Sequence, residues 1–283
     1  MSGIINKKPG TKFIMLQQQR PSGKTDDKNA MKQVVFQVAG ESHQGLCRRK
    51  NEDNYCVIYS RNRHCIFAVV ADGIGGHSRG EVASYICCRE LADVFLKQEK
   101  KILTPADAQD FLKKELEKIN LSIYLRNRAN RNMGRPMGTT VNSVLFLEDF
   151  AVMANAGDSR LYQLLPGREA EQLSTDHSFK AALASSLEAD KFRSMENVIY
   201  RAVGLHRNFE FDLRTFPVVP GGKYLLCTDG MYRSLSLEKL RDTLKDSTDP
   251  RCALDIFMRS ALVSGGKDNI TGIAVFAQGE NNE

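Results

Sequence analysis

Apolar residues in this chain fall into short runs of two kinds, and the two kinds predict different elements. Val34-Val35-Phe36-Gln37-Val38 is β-branched, ends at Gly40 and predicts a strand. Cys65-Ile66-Phe67-Ala68-Val69-Val70 is too short and too β-rich for a helix; it predicts another strand, stopping at Asp72-Gly73. Tyr55–Tyr59 is strand-like between them. The period then changes. Ala83, Cys87, Leu91 and Val94 recur at steps of four, four and three, the spacing of one helix face. A second helix takes Thr104 as N-cap, Pro105 at its first position and Asp107 in its first turn. Its stripe is Ala108, Leu112, Leu116, Ile119 and Ile123, and Arg126 and Arg128 suit its C-terminal end. Strands resume at Val141–Leu147 and Ala151–Asn155, a hairpin about Glu148-Asp149, and again at Leu161–Leu165, Tyr224–Cys227 and Ile270–Phe276. Helical composition covers Phe179–Phe192, Leu237–Leu244 and Cys252–Val263. Clustered strands, paired helices, then strands again predict an α+β fold with antiparallel sheets and no internal repeat.

Composition narrows this without redirecting it. With 283 residues, 42% apolar and 26% charged, the chain is long enough for a large core and is neither collagenous nor a disulfide scaffold. A net charge of +6 invites a nucleic-acid reading, but residues 1–32 carry seven bases against two acids. The remainder is nearly neutral, so the excess belongs to a basic, mobile N-terminal extension. That extension reads as a solvated leader in preference to a docking arm for an acidic partner. No apolar run reaches the roughly 20 residues of a membrane span, and no signal-peptide pattern opens the chain. Seven cysteines without a C-x-x-C pair predict reduced thiols and a cytoplasmic protein. Five scattered histidines give no zinc pattern, and the usual nucleotide-binding and serine-hydrolase motifs are missing.

The chemistry lies where the acids fall. Apolar strands run into Asp72-Gly73 and Asp229-Gly230, and Ala151–Asn155 leads into Gly157-Asp158-Ser159-Arg160. Asp268-Asn269 immediately precedes the last strand, and Glu52-Asp53 precedes Tyr55–Tyr59. One Asp-Gly is ordinarily a turn. Five acidic stations at strand ends are better explained by cation binding, because converging buried carboxylates repel unless something neutralises them. Oxygen ligands of this kind select Mg²⁺ or Mn²⁺.

In this order the motifs resemble the metal-dependent serine/threonine protein phosphatases of type 2C, in their bacterial branch, from about Val34 to Phe276. The carriers are Arg48-x-x-Asn51-Glu52-Asp53 and Ala71-Asp72-Gly73-Ile74-Gly75-Gly76-His77-x-x-Gly80-Glu81-x-Ala83-Ser84. They continue with Met137-Gly138-Thr139-Thr140, Asn155-Ala156-Gly157-Asp158-Ser159-Arg160, Thr175-Asp176-His177-Ser178 and Arg201-Ala202-Val203-Gly204. Thr228-Asp229-Gly230 and Gly266-Lys267-Asp268-Asn269-Ile270-Thr271 close the set. The resemblance implies a β-sandwich of two antiparallel sheets flanked by pairs of helices. It implies a catalytic domain over residues 33–278, preceded by the extension 1–32 and followed by a short polar tail, 279–283.

It also implies a site. Glu52, Asp72, Gly73 through its carbonyl, Asp229 and Asp268 would hold two Mg²⁺ or Mn²⁺ ions, and Asp158 with Asp229 would match a third, weaker site. Asp53 would brace a water of the metal centre from behind, and Arg48 would bind phosphate, with Arg49 as its rival. The implied reaction is hydrolysis of phosphoserine and phosphothreonine by direct attack of a water or hydroxide bridging the two ions. The implied partners are phosphorylated proteins and a cognate bacterial Ser/Thr kinase, for a monomer with no nucleic acid and no membrane span. A catalytically idle binding or sensor module is the alternative, but no ligand position is lost. Two departures stand out. Ile74 occupies the place where some eukaryotic members carry a histidine, a role not passed to His77. The flap-like stretch Thr175–Gly204 lacks the usual His-Pro before Asn197-Val198.

Overall fold

Two sheets carry the fold, and most of their strands are the apolar runs described above. The computed structural model describes residues 13–14, 34–60, 65–75, 79–129, 136–179 and 198–279. The first sheet runs in the order β1 (Phe13–Ile14), β3 (Asp53–Tyr59), β4 (Ile66–Ile74), β6 (Val141–Phe146), β7 (Phe150–Ala156) and β10 (Asp212–Pro217). A two-residue β5 (Gly138–Thr139) pairs with the end of β4. The second sheet runs β2 (Val34–His43), β12 (Ile270–Gly279), β11 (Lys223–Cys227), β8 (Arg160–Leu164) and β9 (Glu171–Gln172). All of these pairings are antiparallel except β1 on β3.

The two sheets pack face to face, and helices cover both outer faces. Along β4, Ile66, Ala68 and Val70 point into the space between the sheets, while Phe67, Val69 and Ala71 point the other way. The outward set meets α1 (Gly80–Gln98) and α2 (Pro105–Ala129). On β12, Ile273, Val275 and Ala277 face inward, while Ile270, Ala274 and Phe276 meet α3 (Asp229–Tyr232), α4 (Leu237–Asp246) and α5 (Pro250–Val263). A strand buried on both faces has no solvent side to make polar. That is why the central strands read as unbroken apolar runs.

Caps set the helix starts. Thr104 Oγ1 accepts the Asp107 N–H at 3.2 Å while Asp107 Oδ2 accepts the Thr104 N–H at 2.9 Å, a reciprocal capping box. Ser236 and Asp249 cap α4 and α5 by accepting the N–H groups of Lys239 and Cys252. Each such cap contributes about 1 kcal/mol.

Several boundaries differ from the sequence expectation, for local reasons. β2 continues through Gly40 because that glycine admits a ring: a Cβ there would lie 2.5 Å from the Tyr55 ring, whose hydroxyl donates to the Gly40 carbonyl. β4 continues through Asp72-Gly73 because β5 pairs with Gly73 and Ile74. β10, Asp-Leu-Arg-Thr-Phe-Pro, lacks an apolar run and was not foreseen; it pairs only with β7 and leaves most of its side chains near solvent. Phe13–Ile14, inside the segment read as an unstructured extension, pairs with Cys56 and Val57. Most of the expected helix Phe179–Phe192 lies outside the described residues. The seven cysteines are unpaired; only Cys47 and Cys252 are exposed. Among the described residues no helix is long and apolar enough to cross a membrane.

Candidate active site

Antiparallel order brings the acidic stations to one end of the sandwich. Asp53 opens β3 directly opposite Asp72 near the end of β4. β11 ends at Cys227, opposite Gly272 near the start of β12 and Arg160 at the start of β8. β7 ends at Ala156, just before Gly157-Asp158. Glu52, Asp53, Asp72, Asp158, Asp229 and Asp268 are therefore gathered from strand ends and the turns beside them, far apart in sequence.

A scaffold of hydroxyls and amides fixes these loops. The Asp72 N–H donates to Thr140 Oγ1 at 2.9 Å, and its carbonyl accepts from the Thr140 N–H and Thr139 Oγ1 at 2.8 and 2.9 Å. Asp53 is buried and accepts from Thr228 Oγ1 at 2.8 Å. Asn269 acts as a three-way tie. Its Oδ1 accepts the Glu52 N–H at 2.8 Å, and its Nδ2 donates to the carbonyls of Gln44 and Lys50 at 2.7 and 2.8 Å. Ser84 Oγ donates to the Glu52 carbonyl at 2.5 Å. Gly80 lies so close that a Cβ there would sit 2.7 Å from the Gly73 oxygen and 2.9 Å from Glu52 Oε1. Gly157, with φ of +110°, donates to His177 Nδ1 at 3.2 Å and accepts the His177 N–H at 2.9 Å, which sets the turn into Asp158. A neutral His177 is required for that acceptor role, and burial holds its pKa below the usual histidine range.

The cluster is electrostatically loaded. Burial, then the charges of Asp53, Asp229, Asp158 and Asp268, holds the Asp72 carboxyl well above the usual range. Burial pushes Asp53 up to about 7 and Asp229 to about 6, against the Thr228 and Thr271 hydroxyls in one case and Arg233 in the other. Glu52 and Asp158 are raised as well, each mainly by burial. Arg48 Nη2 meets Asp268 Oδ2 at 2.7 Å, and Arg233 Nη2 meets Asp229 Oδ2 at 2.9 Å. The other oxygen of Asp229, Oδ1, is buried with no hydrogen-bond partner.

Among the described residues no three carboxylate, histidine or cysteine groups are already drawn into a formed coordination sphere. The donor set nonetheless fits a hard divalent cation: oxygen atoms only, a buried orphan carboxylate oxygen, and mutual repulsion that a cation would relieve.

A family model described as Protein phosphatase 2C matches residues 40–259. The chain belongs to the protein phosphatase 2C family.

Relatives agree with that membership. The serine/threonine phosphatase stp of Listeria welshimeri is 34% identical over 82% of this chain and 92% of its own length. The crystal structure of the serine/threonine phosphatase Stp1 from Staphylococcus aureus superposes with a TM-score of 0.77 at 27% identity, covering 91% of this chain and all of that one. The catalytic domain of the serine/threonine protein phosphatase PstP, solved in complex with two manganese ions, gives 0.72 at 28% identity over 87% and 99% of the two chains. This protein phosphatase 2C member is thus a metal-dependent phosphoprotein phosphatase with the two-sheet sandwich of its bacterial relatives.

The carboxylates singled out from sequence lie at one end of the sandwich, and Arg48 meets one of them. Of the two adjacent arginines, Arg48 is the one whose guanidinium meets Asp268. Ile74 lies in the last position of β4 opposite Gly138. His77, and the altered flap sequence up to Asn197, lie outside the described residues. Sequence reasoning missed the supporting roles of Thr228, Asn269 and Gly80. Each stood inside a quoted motif, but nothing in its residue type said which partner it would find. Arg233 was missed altogether.

Proposed function

We propose that this protein hydrolyses phosphoserine and phosphothreonine in phosphoproteins, using two Mg²⁺ or Mn²⁺ ions held at the acidic end of the sandwich. The observation that carries the reading is the convergence there of six carboxylates from five strand ends, one with a buried oxygen that has no partner. Glu52, Asp72, the Gly73 carbonyl, Asp229 and Asp268 would hold the two ions, and Asp158 with Asp229 a third more weakly. Bound there, such ions supply Lewis acidity and a water acidic enough to serve as nucleophile near neutral pH.

The chain's own residues do the rest. Arg48 stands half exposed at the rim, and its planar fork suits two oxygens of a phosphoryl group. Its bond to Asp268 is exchangeable: an arriving phosphate offers the same guanidinium a dianion. That contact strengthens as charge develops on the equatorial oxygens. Asp53, backed by the Thr228 hydroxyl, is fixed behind Asp72 and orients water in the cluster. Ile74 can move no proton, so the position that carries a histidine in some eukaryotic members supplies no acid for the leaving serine or threonine oxygen here. The natural targets on this reading are cytoplasmic proteins phosphorylated by a cognate Ser/Thr kinase.

The test is release of phosphate from phosphothreonine, phosphoserine and phosphotyrosine peptides by purified protein with Mn²⁺, with Mg²⁺ and with chelator. We expect ion-dependent turnover of the first two. Activity that survives chelation, or a preference for phosphotyrosine, would overturn the proposal.

A further inference from the structure

Arg48 and Arg233 are each ion-paired to a carboxylate of the acidic cluster, and only Arg48 has a place in the reaction. Arg48 is the phosphate-binding candidate. Arg233 is not accounted for. It follows α3 directly, its N–H bonded to the Asp229 carbonyl at 3.0 Å, and its side chain folds back one turn to the Asp229 carboxylate. An acid four residues before a base on one helical turn is the favourable order for such a pair. The carboxylate is buried and the guanidinium half exposed, so the ion pair lies at the border of the cluster.

The second carboxylate that feels the charge of Arg233 is Asp158, buried and carried on the turn after β7. The other arginine near it, Arg160, is committed elsewhere. It grips Asp176 with Nε and Nη2 at 2.7–3.1 Å, donates to the Tyr162 hydroxyl and stacks on the Tyr232 ring. Asp176 itself is a further negative charge facing Asp158. Arg233 is ion-paired to Asp229 and its charge acts on both carboxylates against burial, while Arg160, held by Asp176, acts on Asp158 to a lesser degree. It engages Oδ2 of Asp229 and leaves the buried Oδ1 to the interior of the cluster.

We propose that Arg233 is a built-in counter-ion for the Asp158–Asp229 pair that competes with a third divalent cation there, so that the third ion binds only by displacing the guanidinium. This rests on the reading of the acidic end as a metal centre. Arg233 is a positioning residue on this account: its charge substitutes for an ion, and its half-exposed side chain can swing outward when an ion of higher charge arrives.

The experiment is a Mn²⁺ binding isotherm, by calorimetry and by electron paramagnetic resonance of free Mn²⁺, on the full chain and on Arg233→Gln, Arg233→Lys and Arg233→Gln/Asp158→Asn. Removing a charge-assisted ion pair should tighten the weakest Mn²⁺ site by about tenfold. Arg233→Lys, which keeps the charge, should stay near wild type, and Asp158→Asn should cancel the gain. Two tight sites retained in every variant would show that the fold and the main centre are intact. A weak-site affinity unchanged in Arg233→Gln would overturn the proposal alone, even if KM for a phosphopeptide rose. So would a gain that survives Asp158→Asn. A wild-type chain with no tight Mn²⁺ would overturn both this proposal and the metal-centre reading beneath it.

Discussion

Gly80→Ala isolates the packing that shapes the acidic end. In an ordinary helix interior this change is stabilising by up to about 1 kcal/mol, since alanine gives up less backbone freedom on folding. Here the added methyl would lie 2.7 Å from the Gly73 oxygen, 2.8 Å from the Gly73 carbonyl carbon and 2.9 Å from Glu52 Oε1, where ordinary contact begins at 3.4 Å. Relief therefore needs a displacement of roughly half an ångström or more between α1 and two groups that the metal-centre reading treats as ligands. The Gly73 carbonyl is poorly free to yield, because Gly73 is paired with Thr139, while Glu52 Oε1 can move only by turning its carboxylate away from the place it would hold in the centre. Overpacking of this kind costs about 1–3 kcal/mol, which outweighs the propensity gain. Misplacing a ligand and its support lowers metal affinity by about 10–100-fold. Calorimetric Mn²⁺ titration, paired with thermal unfolding in chelator, measures the two effects separately. Gly80→Ala with wild-type Mn²⁺ affinity would refute the reasoning, whatever its stability.

Three further outcomes are expected. Asn269→Ala removes one acceptor and two donors at once, from the Glu52 N–H and the Gln44 and Lys50 carbonyls, and should lower unfolding stability by about 2–4 kcal/mol in urea titration. A loss below about 1 kcal/mol would mean that water replaces the tie. Arg48→Ala should raise KM for a phosphothreonine peptide about 10–100-fold while leaving the Mn²⁺ isotherm in place, and parallel loss of both would misplace the arginine. In chelator, pH should act through the buried carboxyls whose affinity for protons the fold raises, Asp72 together with Asp53, pushed up to about 7, and Asp229, pushed up to about 6, against about 4 when unfolded. The folded chain then binds protons more tightly, so their stabilising contribution is full below about pH 4 and is lost as pH rises to 7. The melting temperature should fall from pH 5 to 7.5, less steeply in Asp53→Asn, and an equal slope in that variant would count against it.

How much of this was legible in the sequence depended on whether burial left a one-dimensional trace. The central strands β4, β11 and β12 are apolar on both faces, so their runs stand out and their ends mark where Asp72, Asp229 and Asp268 must lie. β10 left no trace, because an edge strand near solvent tolerates Asp212, Arg214 and Thr215. Gly40 misled for a related reason: glycine ends strands in general, but here it makes room for the Tyr55 ring beneath a continuing ladder. Within the site, the acids were visible as a pattern and their supports were not. Thr228 and Asn269 act across 175 and 217 residues of chain, on Asp53 and Glu52, and such partnerships exist only once the sheets are assembled. Arg233 was invisible because an arginine at the start of a loop is ordinarily a solvated charge. Only the buried Asp229 beneath it gives it a second meaning.

On the proposed function, the carboxylates at one end of the sandwich hold the cations that hydrolysis requires. Phosphate release from a phosphothreonine peptide across a Mn²⁺ titration, with bound Mn²⁺ counted in the same samples for wild type and Asp72→Asn, tests it most directly. Wild-type turnover should rise as two ions bind, and Asp72→Asn should lose tight Mn²⁺ and turnover together. An Asp72→Asn protein that keeps both, or a wild type whose turnover ignores Mn²⁺ occupancy, would contradict it.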